Sequence, residues 1–282
     1  MPNISIQDPL SNAVKYLVIS GATSGIGGVL DVTNFKNIQT ITANSLNIGL
    51  SGFNISPTIN TAIQTINLNN GNVLTGTIAD YSQFNSLKTL NLGSNKYTGI
   101  SDFTNTNSSI NTFLVNGNTA MANSKVPNIN NLTAATNISF SACGVTGLLT
   151  SGSFSNLTAI NSINFANCKL TGILPSLSSM TGFGTGNFQN NNLTGFAGTA
   201  NFPLGGIAGL SLDLGSNKLT SSGIAQIIIS AYEFAVRTVY FNGKITINGG
   251  TNAGISTGDM IFNNYLVPLV STYNWTILYN AI

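Results

Sequence analysis

Charged side chains and histidine are what this chain of 282 residues lacks. Only 6% of its residues are charged and none is histidine, whereas ordinary globular domains are about 25% charged. Without histidine, Ser-His-Asp catalysis, Cys-His catalysis and histidine-ligated metals are excluded. Two cysteines, Cys143 and Cys168, are too few for a four-thiolate zinc site. The sequence therefore predicts no metal and no cofactor.

A basic surface and long apolar runs are also missing. The nine lysine and arginine residues are scattered and the formal net charge is +2, so the basic stripe that nucleic-acid binding needs is not predicted. No apolar run approaches the length of about 18 residues that a transmembrane helix requires, which predicts no membrane insertion. Residues Met1 to Ser5 do not form a basic start before an apolar run, so no signal peptide is predicted.

Small polar residues and regularly spaced apolar residues are abundant instead. Asparagine, serine, threonine and glycine supply about half of the chain, and 42% of the residues are hydrophobic. The apolar share is large enough for a core. The remaining composition predicts a neutral surface of amides and hydroxyls.

A repeated pattern runs through most of the chain. The segments 87–99, 160–172 and 209–221 share the frame apolar-x-x-apolar-x-apolar-x-x-(Asn/Cys)-x-apolar-Thr-(Gly/Ser). Weaker copies surround Ile38 to Asn47 and Val236 to Phe241. Eight or nine copies therefore cover 38–245, between an N-terminal cap at 1–37 and a C-terminal cap at 246–282. The anchor position of the frame is held by Asn72, Asn95, Asn118, Cys143, Cys168, Asn191 and Asn217.

This frame resembles that of the leucine-rich-repeat family, and its Leu-Thr-Gly ending is similar to the plant-type variant. The resemblance implies an α/β solenoid that is right-handed, with a parallel β-sheet on the concave face and mostly irregular loops opposite. A single copy cannot bury its apolar face, so neighbouring copies must stack. The anchor side chains are expected to bond to backbone groups of the turns.

The two ends depart from the repeat. Lys15 to Ser20 predicts an opening strand, Ile224 to Phe234 a short helix, Tyr265 to Val270 a second helix, and Trp275 to Tyr279 a closing strand. The ending TYNWTILYN resembles closing strands of bacterial and phage repeat proteins. Aromatic residues are concentrated late in the chain, where they either fill the C-terminal cap or form a docking patch for another subunit.

The family usually binds ligands on the concave face, so the outward positions of the strands are the candidate binding site. They form a ladder of hydroxyls and amides, which is either a structural ladder or a weakly binding polar surface for a ligand such as a carbohydrate. The aromatic and arginine side chains of strong interfaces are nearly absent. The candidate binding residues are Thr89, Asn91, Asn116, Asn164, Asn187, Asp213 and Tyr240.

Three further features have a catalytic and a structural interpretation. The segment 18–28 resembles the cofactor loop of short-chain dehydrogenases, and Tyr240-x-x-x-Lys244 is similar to their catalytic pair. However, the segment is not followed by a predicted helix or by an acidic residue about 20 positions later. We therefore interpret the segment as a glycine-rich turn. Asp80 and Asp102 occupy similar offsets in successive repeats, and we interpret them as turn residues rather than a carboxylate pair. The two cysteines are expected to be reduced thiols, with a disulfide as the alternative. We expect no catalytic residues.

Composition and fold together suggest a setting outside the cell. Phage virion proteins assemble in the host cytoplasm and leave by lysis, so they need no signal peptide. We expect a non-enzymatic virion structural or appendage protein, such as a capsid decoration, spike or tail-associated module. Its partners would be other virion proteins, a host-surface glycan or protein, or further copies of itself. The alternatives are a bacterial cell-surface or extracellular leucine-rich-repeat adhesin and a carbohydrate-active solenoid enzyme.

Overall fold

The structure is a computed structural model with two compact units, Met1–Gly144 and Val145–Ile282. No helix in the described part of the chain is long and apolar enough to cross a membrane. The structure describes residues 4–5, 13–20, 27–44, 49–70, 72–107, 109–150, 152–197, 202, 209–240 and 242–282.

Short parallel strands build the first unit. They are β1 (Ile4–Ser5), β2 (Tyr16–Ser20), β3 (Gly27–Asp31), β4 (Thr40–Asn44), β5 (Gly49–Asn54), β6 (Thr65–Asn67), β7 (Thr77–Ile78), β8 (Thr89–Asn91), β9 (Gly99–Ile100), β10 (Thr112–Leu114) and β11 (Asn137–Ser139). The main sheet has the order β2-β4-β6-β8-β10-β11, while β1-β3-β5 and β7-β9 form smaller sheets. A 3-10 helix, Thr119–Met121, lies between β10 and β11.

The second unit repeats this plan and adds helices. Its strands are β12 (Thr146–Leu148), β13 (Ser162–Asn164), β14 (Lys169–Leu174), β15 (Thr185–Asn187), β16 (Asn192–Phe196), β17 (Ser211–Asp213), β18 (Lys244–Thr246), β19 (Gly254–Ile255), β20 (Thr276–Leu278) and β21 (Asn280–Ala281). The main sheet runs β13-β15-β17-β18-β20, and β12-β14-β16 and β19-β21 are the smaller sheets. The helices are α1 (Ser221–Thr238), a π-helical turn (Phe262–Leu266) and α2 (Val267–Ser271).

The apolar positions of the repeat frame point into the core. In the first unit Ile66, Leu90 and Phe113 are the central residues of β6, β8 and β10, and each is 0% exposed. These residues pair directly across the strands. Because side chains alternate along a strand, the residues on either side of them face outward. The predicted inward and outward positions are therefore confirmed for these strands.

Aromatic rings continue the core along each unit. In the first unit Phe113 packs against Phe103 and Phe140, with ring centroids 5.1 and 5.7 Å apart. In the second unit Phe165 and Phe188 stack at 6.0 Å with an interplanar angle of 10°. Neighbouring repeats thus share apolar contacts that no single copy makes alone.

A left-handed backbone conformation precedes the anchor in each copy. Ala142, directly before Cys143, has φ of 58°, and Ser94, directly before Asn95, has φ of 54°. This conformation turns the chain out of the strand and is costly for residues with a Cβ. The equivalent residues with positive φ are Gly117, Asn167, Asn190 and Ser216, each directly before its anchor, and Asn70, two residues before Asn72.

The prediction of a last repeat copy around Val236 to Phe241 is wrong, because a helix occupies most of this segment. Val236 lies in the last turn of α1 and Val239 is its left-handed C-terminal cap; Phe241 lies outside the described residues. The helix is also longer than the predicted Ile224 to Phe234. It begins after Thr220, whose hydroxyl accepts a hydrogen bond from the amide of Gly223 at 3.0 Å, as an N-cap residue does.

The other predicted end elements are confirmed. β2 lies within Lys15 to Ser20, β20 lies within Trp275 to Tyr279, and the π-helical turn and α2 cover the second predicted helix. β2 pairs with β4 in the main sheet of the first unit. In the second unit β18 and β20 continue the main sheet. Strands in repeat register therefore also occur outside 38–245.

Candidate functional site

A row of threonines lies on the outer face of the first unit's main sheet. This threonine row consists of Thr40, Thr65, Thr89 and Thr112, which pair directly on four adjacent strands. Their side chains are half-buried. Adjacent strands are about 4.8 Å apart, so the hydroxyls repeat at that spacing. No hydrogen bond from these hydroxyls to another described residue is present, which leaves them available to solvent or a ligand.

The next outward position along the strands is rich in amides, and these have a structural role. Asn91 Oδ1 accepts a hydrogen bond from the amide of Gly93 at 3.2 Å, and Asp213 Oδ1 accepts one from Gly215 at 2.9 Å. The same bond to the amide two residues later is made by Asn67, Asn164 and Asn187. Such bonds define a local turn. We call these residues the amide column (Asn67, Asn91, Asn164, Asn187 and Asp213). Each of them turns the chain at the end of its own strand.

The structure divides the candidate binding residues between the two units. Thr89, Asn91 and Asn116 share the outer face of the first unit. Asn164, Asn187 and Asp213 occupy equivalent positions on adjacent strands of the second unit, where Asn164 pairs with Asn187 and Asn187 with Asp213. All six are half-buried.

The predicted position of Tyr240 on this face is wrong. Tyr240 follows α1 rather than lying in a strand, and it is only 9% exposed. Its hydroxyl accepts a hydrogen bond from the amide of Leu210 at 2.8 Å, and its ring packs against Phe234 and Trp275. Trp275 and Phe234 are also buried. These aromatic residues fill the C-terminal cap, and the outward position next to Asp213 belongs to Thr246.

The anchor asparagines tie each turn to the preceding repeat. Asn118 Nδ2 donates to the carbonyl oxygens of Leu92 and Val115 at 3.0 and 2.6 Å, and its Oδ1 accepts from the amide of Tyr97 at 3.3 Å. Buried backbone groups of an irregular turn need such partners. The same pattern of bonds, from a nearly fully buried side chain, holds for Asn72, Asn191 and Asn217.

Asn95 and the two cysteines are variants of this anchor. Asn95 Nδ2 donates to the carbonyls of Leu68 and Leu92, but its buried Oδ1 has no hydrogen-bond partner among the residues that the structure describes. Cys143 and Cys168 are both buried and are not joined by a disulfide. Cys143 Sγ donates to the carbonyl of Val115 at 3.0 Å, the oxygen that Asn118 also contacts. A thiol thus replaces the amide donor of asparagine at this position.

Sequence reasoning missed three further anchors. Asn252 bonds to Leu214, Ile247 and Leu219 as the other anchors do. Asn60 and Asn107 are buried on the loop side, where each donates to two carbonyls of the preceding repeat. Asn252 was hidden because α1 lengthens its repeat. The other two could have been found from their shared spacing, three residues before the buried Ile63 and Ile110.

Asp80 holds a turn on the loop side, as predicted, while Asp102 bonds to the loop of the next repeat. Asp80 accepts hydrogen bonds from Ser82 and from the amide and hydroxyl of Thr104, whereas Asp102 accepts one from the amide of Asn128. Burial raises the pKa of Asp80, but the hydrogen bonds from Ser82 and Thr104 outweigh it and hold the pKa below its usual value. Hydrogen bonds from Thr33 lower the pKa of Asp31 in the same way.

The dehydrogenase-like segment has strand structure where the structure describes it. Gly27 begins β3, and Lys244 begins β18, so Tyr240 and Lys244 do not share a helix face. Gly21 and Gly25 lie outside the described residues. In the described part of the chain no three His, Cys, Asp or Glu side chains are grouped so as to hold a metal ion.

Comparison with known proteins identifies the fold. No protein-family model matches the chain. No curated protein sequence matches it. Among solved structures, it is similar to the leucine-rich-repeat ectodomain of the membrane receptor kinase GASSHO1/SCHENGEN3 from Arabidopsis thaliana, in complex with CASPARIAN STRIP INTEGRITY FACTOR 2. The TM-score is 0.54 at 17% identity, and the match covers 96% of this chain and 33% of that chain.

Two other solved structures are less similar. One is the Arabidopsis receptor kinase HAESA in complex with the peptide hormone IDA and the co-receptor SERK1, with TM-score 0.48, 21% identity and coverage of 81% of this chain and 42% of that chain. The other is a plant ice-binding protein, with TM-score 0.45, 17% identity and coverage of 73% of both chains. The chain spans about a third of the GASSHO1/SCHENGEN3 ectodomain. Together with the parallel sheets, that first likeness shows that the chain has the leucine-rich-repeat fold.

Proposed function

We propose that this chain is a non-enzymatic structural or appendage protein of a virion, such as a capsid decoration, spike or tail-associated module, which acts through protein contacts. The observation that carries the proposal is the threonine row. Four in-register hydroxyls on the main sheet form a neutral surface whose groups make no hydrogen bond to other described residues. The amide column beside it is committed, so recognition depends on the threonines and on shape.

The leucine-rich-repeat fold supports protein or peptide contact in general. The similar receptor ectodomain is seen in complex with CASPARIAN STRIP INTEGRITY FACTOR 2. A sheet of short strands with regularly spaced outward side chains suits recognition of an extended or repeated partner. A capsid or tail surface supplies such a partner, and a host-surface glycan or protein is the further candidate. The virion setting itself rests on composition, because only 6% of the residues are charged.

The alternative is a bacterial cell-surface adhesin of the same fold. The same neutral face supports it, because hydroxyls also bind carbohydrates by hydrogen bonding. The two proposals differ in where the chain is found. A carbohydrate-active enzyme is disfavoured because Asp80 holds a turn and Asp102 accepts a hydrogen bond from the backbone of the next repeat.

A particle-incorporation experiment tests the proposal. Tagged wild-type chain and a Thr65→Lys/Thr89→Lys variant are expressed in cells that produce the virus, and tagged chain per purified particle is measured. We expect incorporation of the wild type and at least a tenfold loss for the variant, because two charges would be buried at the contact. Thr106→Lys is the matched control, since Thr106 is exposed on the loop side of the same unit. Absence of the wild type from particles contradicts the virion setting. Equal incorporation of the wild type and the Thr65→Lys/Thr89→Lys variant contradicts the role of the threonine row.

A further inference from the structure

The end strands of the two main sheets have apolar side chains where the interior strands have polar ones. At the outer face of β2, Tyr16 is 66% exposed and Val18 is 63% exposed. At the outer face of β20, Leu278 is 41% exposed. At the positions equivalent to Val18 and Leu278, the interior strands carry Thr42 and Thr246, respectively.

The inward side chains of the same end strands are incompletely buried. Leu17 in β2 and Ile277 in β20 are half-buried, whereas their paired neighbours Ile41 and Ile245 are 0% exposed. A residue at this position is fully covered only when a strand lies on each side. The apolar core is therefore open at both end strands in the part of the chain that the structure describes.

Neither end strand carries the features that usually prevent edge pairing. Such edges are normally blunted by charges, proline or a β-bulge. β2 (YLVIS) and β20 (TIL) contain no charged residue and no proline. Among the described residues, β2 is the end strand of its sheet and pairs only with β4, and β20 pairs only with β18. The formal net charge of +2 gives little repulsion between two copies.

The pairing geometry selects a second copy of this chain as the occupant. Every strand of the main sheets pairs in parallel with its neighbours, in a constant register. We propose that β20 of one copy pairs in parallel with β2 of the next, with Thr276, Ile277 and Leu278 opposite Tyr16, Leu17 and Val18. This register places Leu278 beside Val18 on the outer face and joins the two half-buried core residues. The two strands present different surfaces, so the contact is heterologous and repeats from copy to copy.

The proposal goes beyond the virion setting and does not depend on it. Head-to-tail pairing extends the parallel sheet by the same contact that each unit uses internally. Cross-strand apolar pairs and new backbone hydrogen bonds stabilise it. A row of identical outer faces then results, each carrying its own threonine row.

Complementary single variants test the proposal in solution. The weight-average mass of the full chain is measured by light scattering or sedimentation as its concentration rises. We expect the wild type to rise from 29.3 kDa beyond the mass of a dimer. Val18→Lys blocks β2 and Leu278→Lys blocks β20, so each variant alone is expected to associate at least tenfold more weakly while keeping its thermal unfolding temperature. An equimolar mixture of the two retains one intact contact and is expected to form a dimer and nothing larger.

The control is Val236→Lys, which replaces another exposed apolar side chain, in the last turn of α1, by a charged one. This variant is expected to associate like the wild type. A wild type that stays monomeric at every concentration overturns the proposal. So does a Leu278→Lys variant that dimerises alone, because that result indicates β2 pairing with β2. A mixture that stays monomeric overturns it as well.

Discussion

At the scale of single residues, buried amides make the irregular turns of this fold possible. The strands of the main sheets are mostly three residues long, so much of the buried backbone cannot find partners within a sheet. Each anchor asparagine supplies several hydrogen bonds to these groups, and Asn118 makes three. Anchors thus replace the regular hydrogen bonding that longer strands would provide.

Removing an anchor amide is expected to be strongly destabilising. Asn118→Ala leaves the carbonyls of Leu92 and Val115 and the amide of Tyr97 with fewer partners, which should lower the free energy of unfolding by about 2–4 kcal/mol. Urea denaturation measures this loss. The matched control is Asn116→Ala on the outer face, which should change the free energy by less than about 0.5 kcal/mol. Equal effects from both variants would contradict the anchor role.

Replacing a non-glycine residue at a left-handed backbone position by glycine is expected to stabilise the protein. Ala142 is exposed and has φ of 58°, so Ala142→Gly should raise the free energy of unfolding by about 0.5–1 kcal/mol. Gly117→Ala is the reverse experiment. It places a Cβ at φ of 75° and 3.0 Å from Ser94 Oγ, and should destabilise by about 1 kcal/mol or more. Thermal unfolding of both variants tests the pair, and a destabilised Ala142→Gly would contradict the assignment.

Acid sensitivity follows from the two carboxylates with lowered pKa. Asp31 and Asp80 have folded-state pKa values below their unfolded value of about 3.9. Their contribution to stability is therefore present above about pH 4 and is lost as the pH falls through the folded pKa values. With no histidine, the unfolding temperature should be nearly constant between about pH 5 and 8.

The Asp80→Asn variant checks this origin of acid sensitivity. Its unfolding temperature should fall less steeply below about pH 4 than that of the wild type. Glu233→Gln is the control because Glu233 is exposed, and it should retain the wild-type profile. If the unfolding temperature of Asp80→Asn fell as steeply below about pH 4 as that of the wild type, other groups would dominate the acid sensitivity.

At the scale of elements, α1 depends on a close approach to β16. A Cβ on Gly223, in the first turn of α1, would lie 2.4 Å from the carbonyl oxygen of Thr194 and 2.7 Å from Cα of Gly195. Only glycine permits this contact. The helix therefore replaces the loop of one repeat without opening the core beneath it.

Gly223→Ala is expected to force α1 away from β16. Overpacking of this kind costs about 1–3 kcal/mol, measured as a lower free energy of unfolding. Gly152→Ala is the matched control, since nothing lies within 4 Å of a Cβ there, and it should change the free energy by less than about 0.5 kcal/mol. No difference between the variants would contradict the packing of α1 on β16.

The strands with the repeat spacing were predictable from the sequence. The C-terminal end of α1 was not, because its apolar residues share part of that spacing. Leu90 and Leu92 fit the frame and are buried as predicted. Val236 and Val239 also show apolar residues three apart, a spacing that repeats and helices have in common. The strand at Lys244–Thr246 was missed because α1 lies between it and β17 and lengthens that repeat beyond the spacing of the other copies.

At the scale of the whole molecule, the period of the sequence predicted the fold while the site was predicted only in part. Anchors and outward positions follow from spacing alone, so most of them were found. Spacing cannot show which outward amides bond to their own backbone, since that depends on the local turn. It therefore did not separate the amide column, which is committed to the fold, from the threonine row, which is not.

We propose that this chain is a structural component of a virus particle, and quantitative mass spectrometry of the source material is the direct test. Purified particles and bacterial envelope fractions are measured separately, with the chain counted against the major capsid protein. We expect a fixed, stoichiometric number of copies per particle and depletion from the envelope. Absence from particles together with enrichment in the envelope would contradict the virion proposal and support the adhesin.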